Sequence, residues 1–238
     1  MPDTKLLFDA SVAERRLMIE TQIRKRGVSS PQVLEAMGAV PRHEFVPAQF
    51  RSQAYADKPL AIGEGQTISQ PYMVAAMTEA MELDGSECVL EIGTGSAYQA
   101  AVLSLIVRQV VTIESHTSLA LAAQERLNRL GFANVHVHNG DGSAGFPEAA
   151  PYDAIVVTAG APEIPQVFAS QLREGGRIVI PVGNQKVQEL MVAQKTNGQL
   201  AARALFSCQF VPLLGRYGWS VDDWRDDVRR LEPGPKAH

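Results

Sequence analysis

Val89-Leu90-Glu91-Ile92-Gly93-Thr94-Gly95-Ser96-Ala97-Tyr98 is an apolar run with one acid in it, followed by a glycine turn and the start of a helical pattern. Gly93 and Gly95 let the backbone turn tightly and approach a ligand where a Cβ would intrude. A nicotinamide-binding fingerprint, G-x-G-x-x-G, requires a third glycine three residues after Gly95, and Tyr98 stands there instead. The stretch therefore reads as a cradle for a nucleoside-bearing ligand of another kind. A charge inside an apolar strand is costly unless it is paired or faces a ligand, so Glu91 is expected to orient the turn or one end of that ligand.

Downstream of the turn, strand and helix patterns alternate. Strands are expected at 88–92, 110–114, 135–138, 154–158 and 177–182, and helices at 97–107, 118–130 and about 165–172. This order specifies an α/β fold with a parallel sheet. Residues 189–195 and 200–206 flank Thr196-Asn197-Gly198-Gln199, and Asn-Gly between two such runs predicts a hairpin that closes one edge with antiparallel strands. Because the unhindered Gly198 nitrogen can attack the Asn197 side-chain amide, Asn197 is also an expected site of spontaneous damage. Upstream, 11–26 is loosely helical and stops at Gly27, and 32–37 is a second short helix. Pro41, Pro47 and Pro59 punctuate an irregular stretch beyond it. The expected organisation is an N-terminal helical and irregular cap over 1–84, a ligand-binding core over 85–215 and a charged helix and tail over 216–238, all in one structural domain.

The totals narrow the partners. A chain of 238 residues with 45% apolar composition can bury a large core, and 22 Lys and Arg against 26 Asp and Glu give a net charge of −4. That balance offers no nucleic-acid footprint. Cys88 and Cys208 are the two cysteines, with no C-x-x-C spacing, which suits reduced thiols. The alternation His136-Val137-His138 puts two imidazoles on one strand face, but no third ligand stands nearby, and no metal is expected. The apolar run from Ala100 to Val107 is too short to span a bilayer, and no export signal is visible at the amino terminus. Cytoplasmic location is the resulting expectation.

Three further places carry candidate chemistry. Glu114 ends the second predicted strand, where a Rossmann-like fold commonly offers a carboxylate to ribose hydroxyls. Asn139-Gly140-Asp141-Gly142 forms a loop at the same sheet edge, with Asp141 available to accept from an adenine amino group. Gly63-Glu64-Gly65-Gln66-Thr67-Ile68-Ser69-Gln70-Pro71 leads into a helix marked by Pro71 and the stripe Val74, Met77, Ala80 and Met81. Ser69 sits where a helix cap belongs, and a helix start with a hydroxyl also suits a carboxylate ligand.

Taken together these blocks resemble the protein-L-isoaspartate O-methyltransferase family. The resemblance rests on Gly65 to Pro71, Val89 to Ala101, and Gly140-Asp141-Gly142 continuing through Ala150 to Ile155. Pro41-Arg42-His43 with Phe45-Val46-Pro47, and Gly175-Gly176-Arg177 with Pro181-Val182-Gly183, extend it over roughly residues 11 to 215. It implies a Rossmann-like S-adenosylmethionine-dependent methyltransferase fold, with S-adenosyl-L-methionine as cofactor and S-adenosyl-L-homocysteine as product. Ser69 would be the active-site residue. The cofactor would be held by Glu91, Gly93, Thr94, Gly95, Ser96, Tyr98, Glu114, Asp141 and Gly142. Gln66, Thr67, Ile68 and Ser69 would meet the substrate, an isoaspartyl site in a damaged protein. Two departures stand out: Ala97 occupies a position where the family usually has glycine, and Leu214 one where some members have threonine. The alternatives are a methyltransferase acting on RNA or a small molecule, and a non-catalytic S-adenosylmethionine-binding module.

The chemistry of such a substrate fits a chain without an evident base or metal motif. An isoaspartyl linkage frees the α-carboxylate, whose reference pKa is about 3.3–3.7, so the nucleophile is ionised at neutral pH. A carboxylate and a sulfonium lose opposite charges as they react, which a dry site favours, and good orientation is worth up to roughly 7–11 kcal/mol. The enzyme mainly has to hold and aim. The methyl ester then closes to a succinimide that reopens to aspartate or isoaspartate.

Overall fold

The computed structural model describes residues 11–220 and Asp222, so the charged helix expected further along the tail lies outside the described residues. The parallel strands β3 (Cys88–Ile92), β4 (Gln109–Glu114), β5 (Val135–Asn139), β6 (Tyr152–Val157) and β7 (Leu172–Gly183) form one sheet. β8 (Gln188–Thr196) and β9 (Gln199–Cys208) extend it antiparallel, in the order β5-β4-β3-β6-β7-β8-β9. β1 (Leu60–Gly63) and β2 (Gln66–Ile68) form a separate antiparallel hairpin. The helices are α1 (Val12–Met18), α2 (Pro31–Ala39), α3 (Pro71–Ala80), α4 (Tyr98–Ser104), α5 (Thr117–Leu130) and α6 (Gln166–Gln171).

Every residue of β3 is buried, consistent with a strand covered on both faces. The chain leaves β3 towards β4 and β5 on one side and returns to β6 on the other, so the crevice beyond the carboxyl ends of β3 and β6 is a topological switch point, where open α/β sheets bind ligands. The Gly93 turn emerges there. The core is shared with the cap: one cluster of buried apolar residues contains Met37, Phe45 and Met77 of the amino-terminal part together with Val89, Tyr98, Val156 and Val192 of the sheet side. Phe45 sits edge-on to Tyr98 at 5.5 Å between ring centroids, a favoured aromatic arrangement.

Several boundaries differ from those expected, for identifiable reasons. α4 begins at Tyr98 because Ala97 is left-handed, with φ 68° and ψ 12°. β7 starts at Leu172 rather than 177, since a register shift opposite Tyr152 and Ala154 absorbs the polar Arg173–Gly176 segment. A Cβ on Gly176 would come within 2.7 Å of the Asp153 carbonyl oxygen. α1 continues as a π-helical segment over 19–23 and a 3-10 turn over 24–26, ending at Gly27 with φ 98°. The π segment offsets the apolar stripe, which accounts for the loose periodicity. The β1–β2 hairpin was not foreseen: Glu64 and Gly65 both have positive φ, 52° and 70°, the signature of a type I′ turn, which asks no glycine at its first position.

Candidate active site

Gly93 has φ 94°, and a Cβ there would lie 2.4 Å from the Thr158 hydroxyl oxygen, so glycine is required on both conformational and steric grounds. Thr158 donates to the Gly93 carbonyl at 2.6 Å and shares the bond with that of Ile92 at 3.1 Å, tying the turn to the end of β6. Glu114, 4% exposed, receives the Gly95 amide at 2.8 Å on one carboxylate oxygen and the His116 amide at 2.9 Å on the other. Each oxygen retains acceptor capacity for a further donor. Gly142 packs where a Cβ would meet Ile92 Cγ2 at 2.8 Å and Ile113 Cγ2 at 3.0 Å. One open cleft connects these groups with Gln66, Thr67, Ile68 and Ser69.

The cleft has a roof. Ile62 of β1 reaches to within 3.3 Å of where a Gly95 Cβ would stand, and Ser118 at the start of α5 donates to the Glu64 carboxylate at 2.7 Å. The hairpin is thereby fastened over the glycine turn. On another side the segment 211–214 forms a wall that includes Leu214. The expected departure at Leu214 thus places an apolar side chain in the lining.

Ser69 lies one residue outside the expected cap. Gln70 is the N-cap of α3 and no side chain caps it, so the capping role read for Ser69 is corrected. Its hydroxyl makes no hydrogen bond with any described residue, while its carbonyl accepts from Arg42 Nη2 at 2.8 Å. The serine is held by its backbone, its hydroxyl is uncommitted, and the residue lines the cleft.

Two of the residues expected at the cofactor lie outside the lining. Glu91 is fully buried beneath the turn: Thr112 donates to its Oε2 at 2.5 Å, the Thr94 and Thr112 hydroxyls are 2.7 Å apart, and its Oε1 has no partner among the described residues. Burial drives its carboxyl up to about 8, against the lowering effect of the Thr112 hydrogen bond. Asp141 points to the chain's later segment, accepting from the Ser143 amide and hydroxyl at 2.9 and 2.6 Å and from the Arg216 amide at 2.9 Å. These bonds fasten the 215–217 strap, and Oδ2, with one donor, keeps acceptor capacity for a further partner. The remaining expected residues, Gly93, Thr94, Gly95, Ser96, Tyr98, Glu114 and Gly142, all line the cleft.

A protein-L-isoaspartate(D-aspartate) O-methyltransferase family model matches residues 13–218. A protein-L-isoaspartate O-methyltransferase of Geobacter metallireducens is 53% identical over 210 residues, 88% of this chain and 97% of that protein. One of Syntrophotalea carbinolica is 54% identical over 213 residues, 89% of this chain and 98% of its own length. The chain belongs to the protein-L-isoaspartate O-methyltransferase family. A solved protein-L-isoaspartate O-methyltransferase superposes with a TM-score of 0.76 at 33% identity, covering 86% of this chain and 66% of that one. A Plasmodium falciparum structure in complex with S-adenosyl-L-homocysteine, 22% identical, shares the fold with a TM-score of 0.72. The chain is an S-adenosylmethionine-dependent enzyme that methylates isoaspartyl residues in proteins and so starts their repair.

The glycine turn, the Glu114 carboxylate and Gly142 suit that cofactor: tightly packed glycines line the cleft, and an acceptor stands at the strand end for ribose. Thr158 and His116 are parts of this methyltransferase cleft that the sequence reading did not name. Thr158 carried one signal, a polar residue ending an otherwise apolar strand. The 211–214 wall, where Leu214 was singled out by the resemblance, is placed by the bridges Gly160–Pro212 and Leu214–Trp219.

The remaining sequence expectations also have defined places. Cys88 and Cys208 are both free thiols. His138 stacks on Phe146 at 4.1 Å, and its pKa is lowered by burial and by His136. Among the described residues no three His, Cys, Asp or Glu side chains converge on a metal site, and no helix is long and apolar enough to cross a membrane.

Proposed function

We propose that the two sides of the cleft divide the reaction, with the 85–215 core presenting the cofactor and the cap, through Gln66 to Ser69, presenting the substrate carboxylate. The observation that carries this reading is the uncommitted Ser69 hydroxyl, which lines the same cleft as the Gly93 turn and Glu114. When bound, S-adenosylmethionine supplies an electrophilic methyl group on a sulfonium centre. Glu114 accepts from the ribose hydroxyls, Gly93, Thr94, Gly95, Ser96 and Tyr98 shape the turn against the cofactor, and Gly142 gives room for its base. Ser69 donates to one oxygen of the free α-carboxylate and leaves the other to react. It acts as a positioning donor; the hydroxyl has no base beside it, which suits a reaction whose nucleophile arrives ionised. Val74, Met77, Leu213 and Leu214 line the cleft with apolar surface and exclude water from the reacting groups.

A peptide with one isoaspartyl residue and its normal aspartyl twin test the reading. Labelled methyl transfer to the isoaspartyl form is expected to exceed transfer to the twin by at least about a hundredfold in kcat/KM, since only one form places an α-carboxylate at a flexible branch. Equal transfer to both would overturn it. That Cys88 and Cys208 form no disulfide also suits a cytoplasmic site of action.

A further inference from the structure

Arg42 is the largest fully buried side chain of the molecule's described part, and the reaction as derived so far makes no use of it. It stands on the 3-10 turn 42–45, directly behind the cleft. Its Nε donates to the Ala54 carbonyl at 2.7 Å and its Nη2 to the Ser69 carbonyl at 2.8 Å. The guanidinium carbon lies 4.8 Å from the centroid of the Tyr98 ring, which itself lines the cleft. Nη1 is buried and makes no hydrogen bond among the described residues.

What is unusual is the charge. Arg42 makes no ion pair with a described residue. Asp57, the acid that influences it, is instead paired with Arg26 at 2.7 Å. Burial lowers Arg42 to about 10, which leaves it cationic at neutral pH. A buried cation without a carboxylate is expensive, and a neutral side chain could supply donors to the two carbonyls without that cost. The substrate that the cleft receives carries a carboxylate, and Ser69 is the residue that meets it.

We propose that Arg42 is a positioning residue for this substrate: its positive charge, set behind Ser69 and fastened to the Ser69 carbonyl, is the counter-charge for the isoaspartyl α-carboxylate. The proposal rests on the reading of Ser69 given above. The product ester is neutral and loses this attraction, so the same charge that admits the acid lets the ester leave. Because the attraction acts on the bound carboxylate, its loss falls on substrate binding more than on the chemical step.

The test compares an isoaspartyl peptide with its α-carboxamide analogue, a neutral ligand of nearly the same shape, in calorimetric titrations of the protein saturated with S-adenosylhomocysteine. The natural protein is expected to bind the acid at least about tenfold more tightly than the amide. Arg42→Gln, which can still donate to a carbonyl, is expected to erase that ratio, to raise KM about tenfold and to change kcat by less than about threefold. Arg42→Lys is expected to retain most of the preference. Equal binding of acid and amide by the natural protein would overturn the proposal without any variant, and so would an Arg42→Gln protein that weakens both ligands equally. Failure of the underlying reading is separable, because it would appear as methylation of the aspartyl twin by the natural protein.

Discussion

Ala97 is the residue at which the cofactor turn departs most from what its backbone asks. An alanine in the left-handed region costs roughly 1–2 kcal/mol relative to a relaxed conformation, and glycine escapes most of that cost. Ala97 is fully buried and does not line the cleft, so its extra methyl group acts on packing and backbone rather than on the ligand. Ala97→Gly is expected to stabilise the protein by up to about 1 kcal/mol in urea unfolding, with unchanged affinity for S-adenosylhomocysteine. A destabilised variant would show that the methyl's packing outweighs the strain. Glu91 gives a pH signature. Its carboxyl is raised from an ordinary 4.5 to about 8 in the folded state, so between those values the native protein holds a proton that the unfolded chain releases. The stability it contributes is complete below about 4.5 and is lost as pH rises through about 8. Glu91→Gln removes that titration, and its unfolding free energy is expected to fall less than the natural protein's between pH 5 and pH 9, both about. Parallel profiles would contradict the assignment.

At the scale of elements, the two hairpins show how similar turns serve different ends. The β1–β2 hairpin is pinned by Ile62 and Glu64 and roofs the active site. The β8–β9 hairpin turns at Asn197 and Gly198, with φ 52° and 77°, and the Glu174 carboxylate accepts both of their amides, that of Gly198 at 3.2 Å. The Gly198 nitrogen is the atom that must lose its proton and attack the Asn197 amide for damage to begin, with ammonia leaving. Glu174 holds that hydrogen. Glu174→Ala is therefore expected to accelerate isoaspartate formation at Asn197, read by mass spectrometry of the aged protein; an unchanged rate would remove the protective role. The Asn-Gly signal located the second hairpin from sequence because its turn uses the preferred pair. The first escaped because Glu64 is an uncommon occupant of its position, although Leu60 to Ile62 and Gln66 to Ile68 flank the turn evenly. Strand and helix order in the core was legible throughout, since β3, β4 and β6 are mostly apolar, β5 alternates Val135, His136, Val137 and His138, and α5 carries a clean stripe ending at Gly131. The interior of β7 was read short because its first residues are polar and bulged.

For the molecule as a whole, cap and core share one apolar cluster, and Arg42, Ser69 and Tyr98 join them through polar contacts at the cleft. The part of the site that the sequence revealed consists of residues with special backbone needs or unusual polarity in an apolar run: Gly93, Gly95, Glu114, Gly142 and the Ser69 block. The part it concealed depends on distant segments meeting. Nothing local shows that Arg216 would bind Asp141, and Thr158 reaches the cleft through tertiary contacts alone. The central claim is that the cap's serine aims a ready-made carboxylate at the core's cofactor. Single-turnover methyl transfer to an isoaspartyl peptide, with peptide and S-adenosylmethionine both saturating, tests it in the natural protein and Ser69→Ala. A rate reduced at least about tenfold, with S-adenosylhomocysteine affinity unchanged, is the predicted result. A Ser69→Ala enzyme that transfers at the natural rate would contradict it.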